Sequence, residues 1–81
     1  MKAQIFVTLK KTVLDPQGAT IARALQGMGH PEITGVRQGK YFEIELETGT
    51  SGEAALAGLN RIAEEVLANP VIEEFRVELL D

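Results

Sequence analysis

The 81-residue sequence contains no cysteine and no tryptophan, and it has a single histidine. Without cysteine, the chain can form neither a disulfide nor a thiolate metal site, which agrees with a reducing, cytoplasmic location. Residues 1–11 lack an apolar run typical of a signal peptide, and no segment approaches the ~20 apolar residues of a membrane span. The net charge of −4 argues against a nucleic-acid partner, which selects for a basic surface.

Residue types that carry catalysis are also scarce. His30 precedes Pro31 in a loop pattern without a nearby cysteine, and Ser51 is placed as a helix cap rather than as a nucleophile. The glycines of residues 27–29 end a predicted helix instead of opening one, which is the wrong context for a phosphate loop. We therefore expect no catalytic residue, no cofactor and no metal site in this chain.

Three carboxylates on one predicted strand form the only pattern that resembles an acidic metal site. Glu43, Glu45 and Glu47 alternate along that strand and would lie ~7 Å apart on one face. Such a row is more often a solvated edge or a stripe that faces a partner, and that interpretation is favoured here.

The length allows one domain that spans residues 1–81, because a second would leave neither with a core. A chain of this size buries only roughly 60% of its unfolded surface. We therefore expect a homo-oligomer, a dimer or a tetramer, in which subunit contacts add buried surface.

The first third of the chain predicts a strand followed by a helix. Residues 3–9 alternate in hydrophobicity, the pattern of a strand with one buried face. Asp15 is a good N-cap and Pro16 a good first helical residue, so a helix is expected over residues 16–28. Its apolar stripe, expected to face the core, consists of Ile21, Leu25 and Met28.

The central run, residues 35–46, is the most informative part of the sequence. Its second half alternates strictly, with Phe42, Ile44 and Leu46 on one face. Its first half clusters polar residues around Gly39, and a glycine in a strand pattern suggests a bend or a close backbone approach. The run predicts a central strand beginning near residue 32, which is either continuous and bent at Gly39 or split there into two strands.

The last third predicts a helix to about residue 68 and a final strand over residues 71–79. The fold class is therefore α+β with the order β-α-β-α-β, a ferredoxin-like antiparallel sheet with two helices on one face. The other face would be open, and Phe6, Tyr41 and Ile72 are expected there, covered by a second subunit.

Arg37 and Lys40, which flank Gly39, form the best candidate binding pair. Two cations at a bend can hold a phosphate or a carboxylate of another protein. The alternative is that they pair with neighbouring glutamates, where each pair contributes only ~0.2–1 kcal/mol. Residues 1–40 carry a net +4 and residues 41–81 a net −8, so separate surfaces of opposite charge could steer docking. The alternative is that strands from the two halves interleave, so that the charges mix.

Two segments together resemble a known family. The segments Val13-Leu14-Asp15-Pro16-Gln17-Gly18 and Val36-Arg37-Gln38-Gly39-Lys40-Tyr41 are similar to motifs of the PurS family, the small subunits of phosphoribosylformylglycinamidine synthase. The resemblance also covers the chain length and the order of elements.

The resemblance implies a non-catalytic subunit of a glutamine-dependent ligase of purine biosynthesis. A synthetase subunit would use ATP and Mg²⁺, a glutaminase subunit would release ammonia from glutamine, and the small subunit, as a dimer, would bridge them and support ammonia transfer. The residues implied at partner interfaces are Asp15, Gln17, Arg37, Gly39, Lys40 and Tyr41. The alternative is a ferredoxin-like regulatory domain that binds an amino acid, although such domains usually carry glycines after the first strand and this chain does not.

Overall fold

The computed structural model describes residues 1–80, in which three strands and two helices follow one another in the expected order. Antiparallel pairing places β1 in the centre of the sheet, between β2 and β3. The α+β class and the β-α-β-α-β order are confirmed. The elements are β1 (Lys2–Leu9), α1 (Pro16–Gly27), β2 (Gly39–Glu45), α2 (Gly52–Ile62), a π-helical turn (Ala63–Leu67) and β3 (Glu73–Leu80).

The central run contains one strand, and that strand begins at Gly39. The prediction of a strand from residue 32 is wrong for residues 32–38. The chain also does not form two strands on either side of Gly39. The reason lies in the pairing: Gly39 already pairs with Thr8, and β1 ends one residue later. The amide of Gln38, which a longer strand would direct to a neighbouring strand, donates instead to the carboxylate of Asp15.

The core lies between the sheet and α2. Ile5 and Val7 of β1 are fully buried, and Leu59 of α2 is 3% exposed. Half-buried apolar side chains of β2 and β3 pack against them: Phe42, Ile44, Phe75, Val77 and Leu79. The inward faces predicted for β1 and β2 are confirmed, as are Phe75, Val77 and Leu79 on β3. Val71, which the same alternation places on the inward face of β3, precedes the strand and is 77% exposed. The central strand carries the most fully buried part of the core.

Helix α1 contributes little to this core. It makes only sparse contact with the sheet and packs instead against the loop that precedes β2, where Gln26 donates to the carbonyl of Ile33. Of its predicted core stripe, Leu25 is half-buried, while Ile21 is 37% and Met28 74% exposed. The cover expected from two helices on one face therefore comes mainly from α2.

The chain is elongated as a result of this placement. Its principal extents are 50 × 27 × 14 Å and its radius of gyration is 16.1 Å. A compact chain of this length would have a radius of gyration of about 12 Å. Apolar surface of α1 that would be covered in a compact monomer is thus left accessible.

The final strand begins two residues later than its sequence pattern suggests, at Glu73. A turn at Asn69 takes up the preceding residues, because the Asn69 side chain accepts from the amide of Val71 and its carbonyl accepts from Ile72. Ile72 therefore precedes the sheet and does not join its open face. Within residues 1–80, no helix has the length and apolar character needed to cross a membrane.

Candidate functional site

Asp15 joins the two segments that carry the sequence resemblance. Its Oδ1 accepts a 2.8 Å hydrogen bond from the amide of Gly18, which confirms its role as the N-cap of α1. Its Oδ2 accepts a 2.9 Å hydrogen bond from the amide of Gln38, immediately before β2. These two amides, with a smaller effect of the nearby Arg37 charge, lower the pKa of Asp15 below its ordinary range.

The first turn of α1 lies directly against the second segment. Gly18 is buried, and a Cβ atom at this position would collide with the carbonyl oxygen of Val36. Only glycine permits this approach, since both contacting groups are backbone atoms that cannot rotate away. The helix start and Val36 therefore approach each other too closely for any side chain at position 18.

Arg37 completes the junction from the opposite direction. Its Nη2 donates to the carbonyls of Leu9 and Lys10 at 2.8 and 2.7 Å, and its Nη1 donates to that of Val13 at 3.3 Å. The guanidinium thus gathers three carbonyls of the connector between β1 and α1, as its fork of donors allows. We call the contacts of Asp15, Gly18, Val36, Arg37 and Gln38 the clasp.

Gly39 and Lys40 follow the clasp at the start of β2. A Cβ atom on Gly39 would lie 2.5 Å from the carbonyl oxygen of Val7, so the glycine marks a close backbone approach, as predicted. The Nζ of Lys40 lies 3.6 Å from a carboxylate oxygen of Glu73 on β3 and 3.5 Å from the carbonyl of Leu67. Lys40 therefore pairs with a glutamate, whereas Arg37 binds backbone carbonyls.

Four of the predicted interface residues line one small cavity. This cavity, of about 270 Å³, brings together Asp15, Gln17, Gly39 and Lys40, with Glu73 at its side. Gln17 and Lys40 are exposed, so their side chains are accessible to another chain. Arg37 lines a second, larger groove that shares Asp15 with the small cavity but does not include Lys40, so the structure does not place the two cations in one site.

Tyr41 lies on the open face of the sheet. Its ring centroid is 5.1 Å from that of Phe6 on β1, and the guanidinium carbon of Arg76 on β3 lies 4.5 Å from the Phe6 centroid. The Tyr41 hydroxyl accepts from Gln4 and donates to Glu43. Local desolvation, followed by this bond to Glu43, raises the pKa of Tyr41.

The sequence also singled out the row of Glu43, Glu45 and Glu47 and the single histidine, and of these Glu43 takes part in the Tyr41 contacts. His30 Nδ1 lies 3.3 Å from Glu32 in an exposed loop. Among residues 1–80, the structure forms no group of three His, Cys, Asp or Glu side chains that could hold a metal ion. Glu43 is instead engaged by the Tyr41 hydroxyl on the solvated face of β2.

Sequence reasoning missed three partners in this region. It did not find the second amide on Asp15, the carbonyls that Arg37 gathers, or the stacking of Arg76 on Phe6. The first two had a signal in the sequence, since Asp15 lies three residues before Gly18 and Arg37 two residues before Gly39. The third depends on strand register alone, which places Phe6 opposite both Tyr41 and Arg76.

The fold and the clasp define a class of small α+β protein in which a three-stranded antiparallel sheet is tied to a helix by two interlocked loop segments. The family model described as PurS: Phosphoribosylformylglycinamidine (FGAM) synthase matches residues 2–81. The chain belongs to the PurS family.

Individual relatives agree with this assignment. The chain is 40% identical to the phosphoribosylformylglycinamidine synthase subunit PurS of Bacillus subtilis over 78 residues, which cover 96% of this chain and 90% of the relative. It is 46% identical to that of Mycobacterium leprae over 76 residues, which cover 94% of this chain and 91% of the relative.

Solved structures agree as well. Bacillus subtilis PurS matches with a TM-score of 0.82 at 39% identity and covers 99% of this chain and 98% of its own. A Thermotoga maritima PurLQS structure matches with a TM-score of 0.86 at 35% identity, over 98% of this chain and 95% of its own. The alternative of an amino-acid-binding regulatory domain is not favoured by these similarities.

Proposed function

We propose that the chain is the small, non-catalytic subunit of phosphoribosylformylglycinamidine synthase, a carbon–nitrogen ligase of purine biosynthesis. The observation that carries this proposal is the match of the PurS family model to residues 2–81, together with 46% identity to the Mycobacterium leprae PurS subunit over 94% of this chain. The Thermotoga maritima neighbour is a structure of PurLQS, so a member of this family occurs in an assembly with other subunits.

In this role the chain bridges a synthetase subunit and a glutaminase subunit and supports transfer of ammonia between them. ATP, Mg²⁺ and glutamine are used by those subunits, and this chain contributes binding surface. The small cavity beside the clasp supports the proposal, because it presents Gln17 and Lys40 outward on a backbone that the clasp holds in place. Asp15, Gly39 and Arg37 shape this surface, and Tyr41 contributes on the open face.

The chain acts as a homo-oligomer, and the open face of the sheet supports this part of the proposal. Phe6, Tyr41 and Arg76 form a stacked row there, and Tyr41 remains 47% exposed. The exposed stripe of α1 adds apolar surface that the monomer does not cover. A second copy would bury both, which compensates for the small core of a chain of this size.

Reconstitution of the synthase from separate subunits tests the function. We expect the synthetase, the glutaminase and this chain to form one complex in size-exclusion chromatography with light scattering. Glutamine-driven product formation should be lost when this chain is omitted, while synthesis from added ammonium chloride should continue, because ammonium bypasses the transfer step. Undiminished glutamine-driven activity without the chain would refute the proposal.

The interface assignment has its own test. Replacing Gln17 and Lys40 by alanine should weaken complex formation, while the pair Asn60→Ala and Arg61→Ala, an amide and a cation exposed on α2, serves as the matched control. Equal binding of the two variants would show that the small cavity is not part of the interface. The oligomer is tested by light scattering of the isolated chain, where a monomer at micromolar concentration would contradict it.

A further inference from the structure

A groove rich in cations adjoins the small cavity at Asp15, which lines both. It occupies about 480 Å³ between the connector of residues 11–15, helix α1 and the loop of residues 34–37. Its charged lining consists of Lys11, Arg23, Arg37 and Asp15. We refer to it below as the basic groove.

The three cations of the groove have no anionic partner in the described part of the chain. Among residues 1–80, no carboxylate oxygen lies within 4.0 Å of Lys11, Arg23 or Arg37, although Lys40 and Arg76 each pair with a glutamate. The hydrogen bonds of Arg37 go to neutral carbonyls, and Asp15 lies close enough for the Arg37 charge to act on it without forming an ion pair.

Asp15 compensates only part of this charge. Both of its oxygens are occupied, one by the amide of Gly18 and the other by that of Gln38. Three positive charges against one carboxylate leave a net charge of +2 in the groove of a chain whose total is −4. A concentration of one charge sign in a concave surface attracts the opposite charge.

The groove also has an apolar rim. Leu14, which lines the groove together with Lys11, is 81% exposed. A site for a free inorganic anion has no use for such a side chain, whereas protein interfaces combine apolar contacts with complementary charge. The combination therefore indicates a polypeptide occupant.

We propose that the basic groove docks an acidic, protruding segment of a partner subunit of the synthase, whose carboxylates lie between Lys11 and Arg23 and whose apolar side chain covers Leu14. This inference rests on the proposed function and adds the location and chemistry of one contact. A second copy of the chain is the less suitable occupant, because eight of the eleven carboxylates in residues 1–80 lie on β2, α2, the π-helical turn and β3, which present strand and helix surfaces. Asp15 lies in the groove itself, and Glu32 and Glu47, in exposed loops, are too far apart in the chain to form one acidic segment.

Neutralisation of the groove tests the proposal without disturbing the clasp. The variant Lys11→Gln/Arg23→Gln removes two groove charges and retains Arg37, whose hydrogen bonds hold the connector. The matched control is Lys2→Gln/Arg61→Gln, which changes the net charge equally at exposed positions outside the groove. Binding of each full-length variant to the separately purified synthetase and glutaminase is measured by biolayer interferometry at about 50 mM and about 300 mM NaCl, because salt screens such contacts.

The expected result is a dissociation constant at least about tenfold higher for the groove variant with one of the two subunits at low salt, and a reduced dependence on salt. The control should stay within about twofold of the wild type. Binding of the groove variant equal to that of the control would overturn the proposal. So would a change in self-association of the isolated groove variant with unchanged subunit binding, because the occupant would then be a second copy.

The outcome also separates this inference from the function on which it rests. If wild-type chain binds neither subunit, the proposed assembly role itself fails and the groove contact fails with it. If wild-type chain binds and the groove variant binds equally, the assembly role stands and only the groove contact is rejected.

Discussion

The Oδ2 atom of Asp15 accepts a 2.9 Å hydrogen bond from the backbone amide of Gln38, a residue 23 positions further along the chain. The same carboxylate caps α1 through Gly18. One side chain therefore sets both where the helix begins and where β2 begins. The two segments by which the family resemblance was found are, in the folded chain, two halves of one structural unit.

Because of Asp15, the stability of the folded chain should depend on pH in the acidic range. Because its pKa is lowered in the folded state, its stabilising effect is present above the ordinary pKa of 3.8 and is lost as the pH falls through the lowered value. We expect wild type to melt above Asp15→Asn at neutral pH, and the gap between their melting temperatures to narrow below about pH 4. Thermal melts followed by circular dichroism from about pH 7 to about pH 2 measure this gap.

Glu64→Gln is the control for this experiment, since Glu64 is an exposed carboxylate on the π-helical turn. Its melting temperature should follow that of the wild type throughout. A gap between wild type and Asp15→Asn that stays constant down to the lowest pH would contradict the two amide contacts.

Because Gly18 contacts Val36, replacing this glycine by alanine should destabilise the protein, the reverse of the usual effect within a helix. Replacing a glycine within a helix by alanine normally stabilises by roughly 0.5–1 kcal/mol. At Gly18 the new Cβ would collide with the carbonyl oxygen of Val36, so Gly18→Ala should instead lower the free energy of unfolding by about 1–3 kcal/mol.

Gly58 offers a matched control in α2, since a Cβ there would meet nothing within 4 Å. Gly58→Ala should raise the free energy of unfolding by roughly 0.5–1 kcal/mol. Urea denaturation of both variants provides the measurement. Stabilisation by both substitutions would show that α1 does not approach residue 36 as described.

Gly39 makes a similar approach at the start of β2, where a Cβ would lie 2.5 Å from the Val7 carbonyl oxygen. Gly39→Val should cost more than the roughly 1 kcal/mol of an average substitution and should also weaken assembly, because Lys40 and Tyr41 would shift with the strand. Gly35→Ala, with open space around the added atom, should change stability by less than about 0.5 kcal/mol.

Urea denaturation measures the stability of both glycine variants, and light scattering with the other subunits measures their assembly. An intact complex with Gly39→Val would indicate that the start of β2 is an ordinary strand end.

At position 37, arginine and lysine should stabilise the protein to different extents although they carry equal charge. Arg37→Gln should lower the free energy of unfolding by about 1–3 kcal/mol, the range for losing several exposed hydrogen bonds from a charged group. Arg37→Lys should recover only part of that loss, because one ammonium group cannot reproduce a fork that contacts Leu9, Lys10 and Val13. Full recovery with lysine, measured in urea, would show that charge alone matters at this position.

The local parts of the fold were predictable because they follow from local chemistry. Alternation marked the buried face of β1 and the Phe42 face of β2, and the Asp15-Pro16 pair marked the start of α1. The beginning of β2 was not predictable from its own residues. Residues 32–38 have an extended pattern, but β1 ends at Leu9 and leaves them no strand to pair with.

The candidate site, like the fold, was predictable from the sequence only in part. The sequence identified Asp15, Gln17, Gly39 and Lys40 as residues of interest, and the structure brings these four to one small cavity. The sequence could not show that Lys40 is a surface residue whereas Arg37 holds the connector, because both are exposed cations within two residues of Gly39. Their partners, Glu73 in one case and backbone carbonyls in the other, come from distant parts of the chain.

The sequence by itself determined the elements, their order, the inward faces of the strands and the family, because these depend on periodicity, capping residues and short motifs. Only the tertiary structure decided that the two motifs interlock, that α1 packs on a loop rather than on the sheet, and that three unpaired cations share one groove. Each of these depends on groups far apart in the chain, and contacts of that kind leave no periodic signal in the sequence.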